Sequence, residues 1–423
     1  MRKFEIFNYQ DGNLHAESAD LAAIARQVGT PCYVYSRTAI EAAWLEYDDA
    51  FSDRMHEVFY AVKANDNLSI IKTLHLLGSS FDVVSIGELL RVLEVGVEAN
   101  RVVFSGVGKS VQEISRAIKL GVGTINIESL EEFERIEAIT SELRMSVNVA
   151  VRVNPDVDPK THPYISTGLK NNKFGVPIED ALELYKRIAT SRWITATGIA
   201  CHIGSQIVDV EPILEAVKQI VLLASGLDAL GIKIKTIDVG GGLGISYNDE
   251  QPPKISSFVS ALLGVVPANF KIALEPGRSI VGHTGILLTR VELVKQTAYS
   301  RFVIVDAAMN DLLRPSLYSA WHDIVTCNEK SAAEIEGASL CDVVGPVCET
   351  GDTLATGRKL SVLEGDLIGV LDVGAYGAVM GSNYNARLKC AEVLVQNDSF
   401  EIIKARQNFE DMVKIEREYL ISE

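Results

Sequence analysis

Between Glu57 and Gly277 the chain alternates two patterns of apolar and polar residues. Short apolar, β-branched runs end in a glycine or a polar residue, and segments with helical spacing follow. The runs are EVFYAVKA (57–64), FDVVS (81–85), VVFSG (102–106), TINIES (124–129), NVAVRVN (148–154), TATGIACHI (195–203), TIDVGGG (236–242) and KIALEPG (271–277). Each reads as a strand, which makes eight. The helical segments carry start and stop signals. Ser110 with Glu113 and Ser129 with Glu132 fit the S-x-x-E capping box; Gly96 and Gly121 fit C-terminal stops. Strands alternating with helices pair in parallel. Eight such units predict an α/β fold, a closed (β/α)8 barrel of TIM type, in preference to an open doubly wound sheet.

Beyond Gly277 the rhythm changes. GILLTRVELVKQ, RFVIVDAA, CDVVGPVC, DLIGVLDVG, CAEVLVQ and SFEIIKA read as strands joined by turns, with QNDS, Gln396 to Ser399, as a hairpin turn. They predict a mostly β second domain, a sandwich or Greek-key barrel. The start of the chain holds one helical segment, LAAIARQVG, and the strand CYVYS. The expected division is an N-terminal segment at 1–33 packing mainly with the β domain, a barrel at 34–280 and a C-terminal β domain at 281–423.

Composition narrows the partners. The 423 residues are 47% hydrophobic and 23% charged, as in ordinary globular proteins. A formal charge of -16 disfavours nucleic acid and anionic membrane. Any anionic ligand must then meet a local cluster of donors. MRKFEIFNYQDGN lacks the apolar region of a signal peptide, and runs such as IVLLASGL fall short of the ~18 residues of a membrane span. The six cysteines show no CxxC spacing and no clustering with histidine. This argues against a metal site and a disulfide framework, and for a reduced cytoplasmic compartment.

Barrel active sites collect at the C-terminal ends of the strands. Here those ends hold Lys63, Ser85, Gly106, Glu128, Arg152 with Asn154, His202, Gly240 to Gly242, and Glu275 to Arg278. VGGGLG, Val239 to Gly244, fails the dinucleotide fingerprint because Ile245 stands where glycine is needed. It reads equally as a tight turn or as a backbone cradle for phosphate. Arg278 of EPGR adds a guanidinium for phosphate or carboxylate. Lys63 follows an apolar run, where desolvation lowers the pKa of an amine. It reads either as a partner of Glu128 or Asp82, or as a Schiff-base lysine. A Schiff-base lysine, a phosphate cup and an acid on another strand together suit pyridoxal phosphate.

FYAVKAN, FDVVSIGEL, VFSGVGK, RVNPDVDPKTHPYISTGLKNNKFG, CHIGSQI, DVGGGLGI, EPGRSIV, VDAAMNDLLRPSLY, DVVGPVCETGD and GAYG follow one another from about residue 30 to residue 395. In that order they closely resemble the diaminopimelate decarboxylases, fold type III pyridoxal-phosphate enzymes. The resemblance implies decarboxylation of meso-2,6-diaminopimelate to L-lysine and CO2, the last step of lysine biosynthesis, through a pyridoxal phosphate aldimine on Lys63. It implies that Gly240, Gly241, Gly242, Gly277 and Arg278 bind the phosphate, helped by Ser205. His202 would lie on one face of the ring, Glu275 would pair with the ring nitrogen, and Tyr376 would meet phosphate and substrate. Asp82 and Arg152 would support the pocket from behind. Cys348 would return the proton to Cα, delivered from the partner subunit of a homodimer with shared active sites. Arg278, Arg314 and Tyr318 would take the distal carboxylate and Glu349 the distal ammonium. By the same resemblance, Asp66 and Val373 depart from the family pattern without touching an assigned role.

Other readings remain at this point. Decarboxylation of ornithine, lysine or arginine would not need Arg314 with Tyr318. A non-catalytic relative predicts a missing lysine or cysteine, and both are retained. A racemase needs a second acid–base group on the opposite face.

Overall fold

The structure, a computed structural model, describes residues 3–158, 167–168 and 172–421, without the side chains of Lys3 and Phe4. Parts of the RVNPDVDPKTHPYISTGLKNNKFG motif, 159–166 and 169–171, lie outside the described residues. The chain divides into two compact units. One is Ala43–Ser246 with Glu250–Ile280; the other is Met1–Ala42 with Tyr247–Asp249 and Val281–Glu423.

The first unit is the barrel. Its strands are β1 (His56–Ala61), β2 (Ser80–Val83), β3 (Val102–Phe104), β4 (Thr124–Ile127), β5 (Val147–Asn154), β6 (Ile194–Ala200), β7 (Thr236–Asp238) and β8 (Lys271–Leu274). All neighbours are parallel. Ile272 opposite His56 closes β8 onto β1, which excludes the open sheet. Val176–Pro177 adds a short parallel pair to β5.

The helices between strands are α1 (Leu68–Leu76), α2 (Ile86–Glu94), α3 (Val111–Leu120), α4 (Leu130–Leu143), α5 (Ile178–Thr190), α6 (Glu211–Ala229) and α7 (Ile255–Val265). Apolar spacing puts one stripe of each against the strands; α3 buries Ile114, Ala117 and Ile118. Ser110 and Glu113 form the reciprocal capping box, and Gly121 ends α3 in the left-handed region. At α4 the box is half made. Ser129 accepts from the Glu132 N–H, but the Glu132 carboxylate accepts from the Glu128 N–H at 2.8 Å and pairs with Lys109 at 2.7 Å. Lys109 is buried, and a buried ammonium holds its counterion.

The second unit is mostly β. Its long strand, Gly285–Gln296, pairs antiparallel with Cys32–Ser36, Leu367–Val370 and Arg301–Val305. Arg301–Val305 continues in parallel to Leu340–Val344, and Cys32–Ser36 in parallel to Ala391–Gln396. The Ala391–Gln396 and Ser399–Lys404 strands form the expected hairpin, with Asn397 left-handed at its tip. Ile324–Thr326, Thr353–Lys359 and a small sheet of Phe7–Gln10, Asn13–Ala16 and Ala19–Asp20 were not expected from the pattern.

Candidate functional site

At the end of β1 the chain turns through a short 3₁₀ helix, Val62–Ala64, which carries Lys63. The Ala61 N–H donates to the Pro276 carbonyl at 3.0 Å, tying this turn to the end of β8. Lys63 Nζ lies 2.5 Å from Asp82 Oδ2 at the end of β2. Asp82 is fully buried, whereas the Lys63 side chain is 36% exposed. Of the two partners the sequence allowed, Glu128 and Asp82, the structure pairs Lys63 with Asp82, and it leaves the amine less desolvated than the apolar run suggested. A neighbouring carboxylate favours the charged lysine.

Behind the pair lies an acidic floor. Glu275 follows β8, and its N–H donates to the Gly240 carbonyl at 2.8 Å. Asp238 ends β7 and accepts from the Gly240 N–H at 2.8 Å. Burial raises both carboxyls. The Asp238 and Asp82 charges push Glu275 up further and the Asp82 charge pushes Asp238 up, while a hydrogen bond with Glu275 holds Asp238 down, so the pair keeps a proton above the usual carboxylate range. Glu275 Oε1 is buried with no hydrogen-bond partner among the described residues. A cationic N–H donor is what that atom lacks.

His202 follows β6. Burial, then the Arg152 and Lys63 charges, hold its pKa well below the usual value, so the ring is neutral. Its Nδ1 accepts from the Gly241 N–H at 3.2 Å, which puts the ring proton on Nε2. Arg152 pairs with Glu128 at 2.9 Å and reaches the His202 carbonyl at 3.4 Å.

The glycine turn is required by packing. A Cβ on Gly241 would lie 2.2 Å from the Glu275 carbonyl oxygen, and Gly240 and Gly242 both have positive φ. Two N–H groups of the turn, those of Gly240 and Gly241, point to Asp238 and His202. Arg278 Nη2 donates to Ser205 Oγ at 3.0 Å, placing a guanidinium and a hydroxyl together between β6 and β8. Gly277 sits beside them, where a Cβ would press on Ala64 at 2.9 Å.

The remaining residues lie in the second unit. Arg314 opens a short helix, Arg314–Tyr318, and is buried rather than solvated. Its guanidinium is 5.9 Å from the Tyr318 ring and 4.9 Å from the Tyr247 ring. Cys348 and Glu349 stand on an exposed turn. The Cys348 N–H donates to Asn385 Oδ1 at 3.3 Å, and the Tyr384 hydroxyl donates to Glu349 Oε2 at 2.8 Å. Cys348 is exposed, and the other five cysteines are buried. Tyr376 is left-handed at φ 57, in a segment whose buried Asp372 accepts from His283 at 2.5 Å. Asp238, Tyr247, His322, Tyr384 and Asn385 were not read as site residues. Asp238 had a signal, a strand-end acid two positions before Gly240. The other four depend on contacts that no local motif encodes, from 8 residues away for His322 with Arg314 to 67 for Tyr247 with Arg314.

Residues 37–282 match the family model described as pyridoxal-dependent decarboxylase, pyridoxal binding domain. The diaminopimelate decarboxylase of Pseudomonas aeruginosa is 47% identical over 409 residues, covering 96% of this chain and 98% of that protein. That of Vibrio cholerae is 45% identical over 97% of this chain and 99% of its own length. A crystal structure of the Helicobacter pylori diaminopimelate decarboxylase complexed with L-lysine matches at TM-score 0.91 and 43% identity, over 95% of this chain and 100% of that one. The chain belongs to the pyridoxal-dependent decarboxylases, in their diaminopimelate decarboxylase branch.

The barrel residues fit the cofactor of that family. The lone Glu275 oxygen suits a protonated ring nitrogen, Lys63 supplies an amine, and Arg278 with Ser205 suits a phosphate.

Proposed function

We propose that this protein decarboxylates meso-2,6-diaminopimelate to L-lysine and CO2, with pyridoxal phosphate as cofactor. The near full-length kinship carries the reaction class. The observation that carries the substrate is Arg314, a guanidinium buried against two tyrosine rings. Such a cation suits a carboxylate that ornithine, lysine and arginine lack at their far end.

When bound, pyridoxal phosphate supplies a carbonyl for the substrate amine and a protonated ring that takes up the electron pair left by CO2. Lys63 would hold the cofactor through its amine, and Asp82, paired with it, would keep the lysine oriented. Glu275 keeps the proton on the ring nitrogen. His202, neutral and pinned at Nδ1, would flank the cofactor ring without adding charge. Gly240, Gly241, Gly242, Gly277, Arg278 and Ser205 hold the phosphate, with Tyr376. Arg278, Arg314 and Tyr318 take the distal carboxylate, and Glu349 the distal ammonium. Cys348 holds the proton that goes to Cα. Its exposure supports a role toward a second subunit, and we propose a homodimer with shared sites. Among the described residues no helix is long and apolar enough to cross a membrane, and the cysteines are free; both support a cytoplasmic enzyme.

The test is direct. Purified protein with the cofactor receives diaminopimelate, ornithine, lysine or arginine in parallel, and amine product and CO2 are followed. Lysine from diaminopimelate at a far higher rate than product from the other three supports the reading. Equal or faster turnover of another substrate overturns it.

A further inference from the structure

Arg314 is held by contacts that lead away from its charge. Its Nε–H donates to His322 Nε2 at 3.3 Å. His322 is fully buried, and its Nδ1 lies 2.8 Å from the Leu371 carbonyl oxygen. A carbonyl only accepts, so Nδ1 carries the ring proton. An arginine N–H only donates, so Nε2 carries none. The two contacts select one neutral tautomer, with its acceptor lone pair aimed at Arg314. The His322 backbone is fixed as well. Arg358 Nη2 donates to its carbonyl at 3.0 Å, and the Arg358 guanidinium stacks on Trp321. Tyr247 completes the enclosure. Its ring meets the His322 ring edge-on at 5.3 Å and faces the Arg314 guanidinium at 4.9 Å.

A guanidinium binds a carboxylate well when its plane is set beforehand, because ordering a long side chain on binding weakens the complex. Anchoring Nε to a rigid acceptor sets that plane and the direction of the Nη edge. We infer that His322 is a positioning residue: through its Nε2 it orients Arg314 and so determines selectivity for ligands with a distal carboxylate. This rests on the reading of Arg314 as the distal-carboxylate residue. Arg358, Trp321 and Tyr247 act on His322, not on the ligand.

The experiment compares two inhibitors of the loaded enzyme. L-Lysine keeps a distal amino-acid centre; 1,5-diaminopentane carries no carboxylate. His322→Leu removes the acceptor, and His322→Gln offers an amide oxygen in its place. The expected result for His322→Leu is an inhibition constant for lysine weakened about tenfold, the worth of one hydrogen bond to a charged group. The constant for 1,5-diaminopentane stays within about twofold, and His322→Gln recovers most of the lysine affinity. Parallel weakening of both inhibitors, or no rescue by His322→Gln, overturns the inference. Arg314→Lys is run beside them. If it too weakens both inhibitors equally, the reading of Arg314 has failed. If it separates them and His322→Leu does not, the inference alone has failed. Should the His322 variants not fold, nitrogen NMR of the wild-type enzyme with labelled histidine decides. A buried ring protonated at Nδ1 alone is expected; a ring protonated at Nε2 overturns the proposal.

Discussion

Lys63 and Asp82 form an ion pair at 2.5 Å, with the carboxylate fully buried and the lysine side chain 36% exposed. Lys63→Met leaves that carboxylate without its cation. Breaking a fully buried pair loses about 3–5 kcal/mol. Partial exposure of Lys63 reduces the expected loss to about 1–2 kcal/mol. Adding Asp82→Asn should recover most of it, since no charge is then stranded. Urea unfolding of the three variants checks this; a Lys63→Met protein as stable as wild type would show that the pair contributes nothing. Lys63→Met should also abolish borohydride fixation of pyridoxal phosphate to the chain.

Glu275 and Asp238 tie the acidic floor to pH. Both folded carboxyls titrate above their ordinary range, because burial first, and then neighbouring carboxylates (Asp238 and Asp82 for Glu275, Asp82 for Asp238), favour the protonated form. Above that range the folded protein holds protons that the unfolded chain has released. Unfolding is then coupled to proton loss, and stability falls as pH rises. Their contribution is complete below the unfolded carboxylate pKa and is lost through the raised folded values. Cofactor-free protein should therefore melt at progressively lower temperature from about pH 5 to pH 8. Glu275→Gln should flatten that slope and weaken cofactor binding. A slope unchanged by Glu275→Gln would place the linkage elsewhere.

The strand ends were legible because their residues are near neighbours in sequence of the runs that place them. Lys63 follows β1, His202 follows β6, and Glu275 follows β8, so a correct strand count brings them to one rim. The Lys63–Asp82 contact was one of two partners the sequence allowed. Its partial exposure was not legible, since an apolar run says nothing of what covers the next residue. Arg314 was readable as helical with Tyr318, but its burial comes from Tyr247 and His322, 67 and 8 residues away in sequence. The Ser129 box failed for a similar reason. Glu132 had a stronger partner in Lys109, a residue outside the four-residue motif.

Cys348 gives a prediction about assembly. Its thiol stands exposed on a turn held by Asn385 and Tyr384, through Cys348 N and Glu349. Cys348→Ala should keep the cofactor's visible absorbance and lose about 100-fold or more in turnover, the range of a positioned acid. Mixing Cys348→Ala with Lys63→Ala subunits should restore partial activity, since each supplies what the other lacks. No restoration after demonstrated subunit exchange would confine each site to one chain. Asn385→Ala should lower turnover less, by freeing the turn rather than removing the acid.

Two glycines separate packing from propensity. Gly226 lies on α6, exposed, with nothing within 4 Å of an added Cβ. Alanine there restricts the unfolded chain and adds no clash, so Gly226→Ala should stabilise by about 0.5–1 kcal/mol. Gly241 has the opposite surroundings. An added Cβ falls 2.2 Å from the Glu275 carbonyl oxygen, a backbone atom that cannot swing aside. Gly241→Ala must push the β8 end away from the turn, which costs about 1–3 kcal/mol as overpacking. The displaced backbone carries Glu275, and the Gly241 N–H is the donor that fixes His202. Cofactor affinity should therefore fall more steeply than stability does. Titrating pyridoxal phosphate against both variants, beside thermal melts, checks the difference. A Gly241→Ala protein that binds the cofactor as tightly as Gly226→Ala would show that the turn is not coupled to the acid and the imidazole beside it.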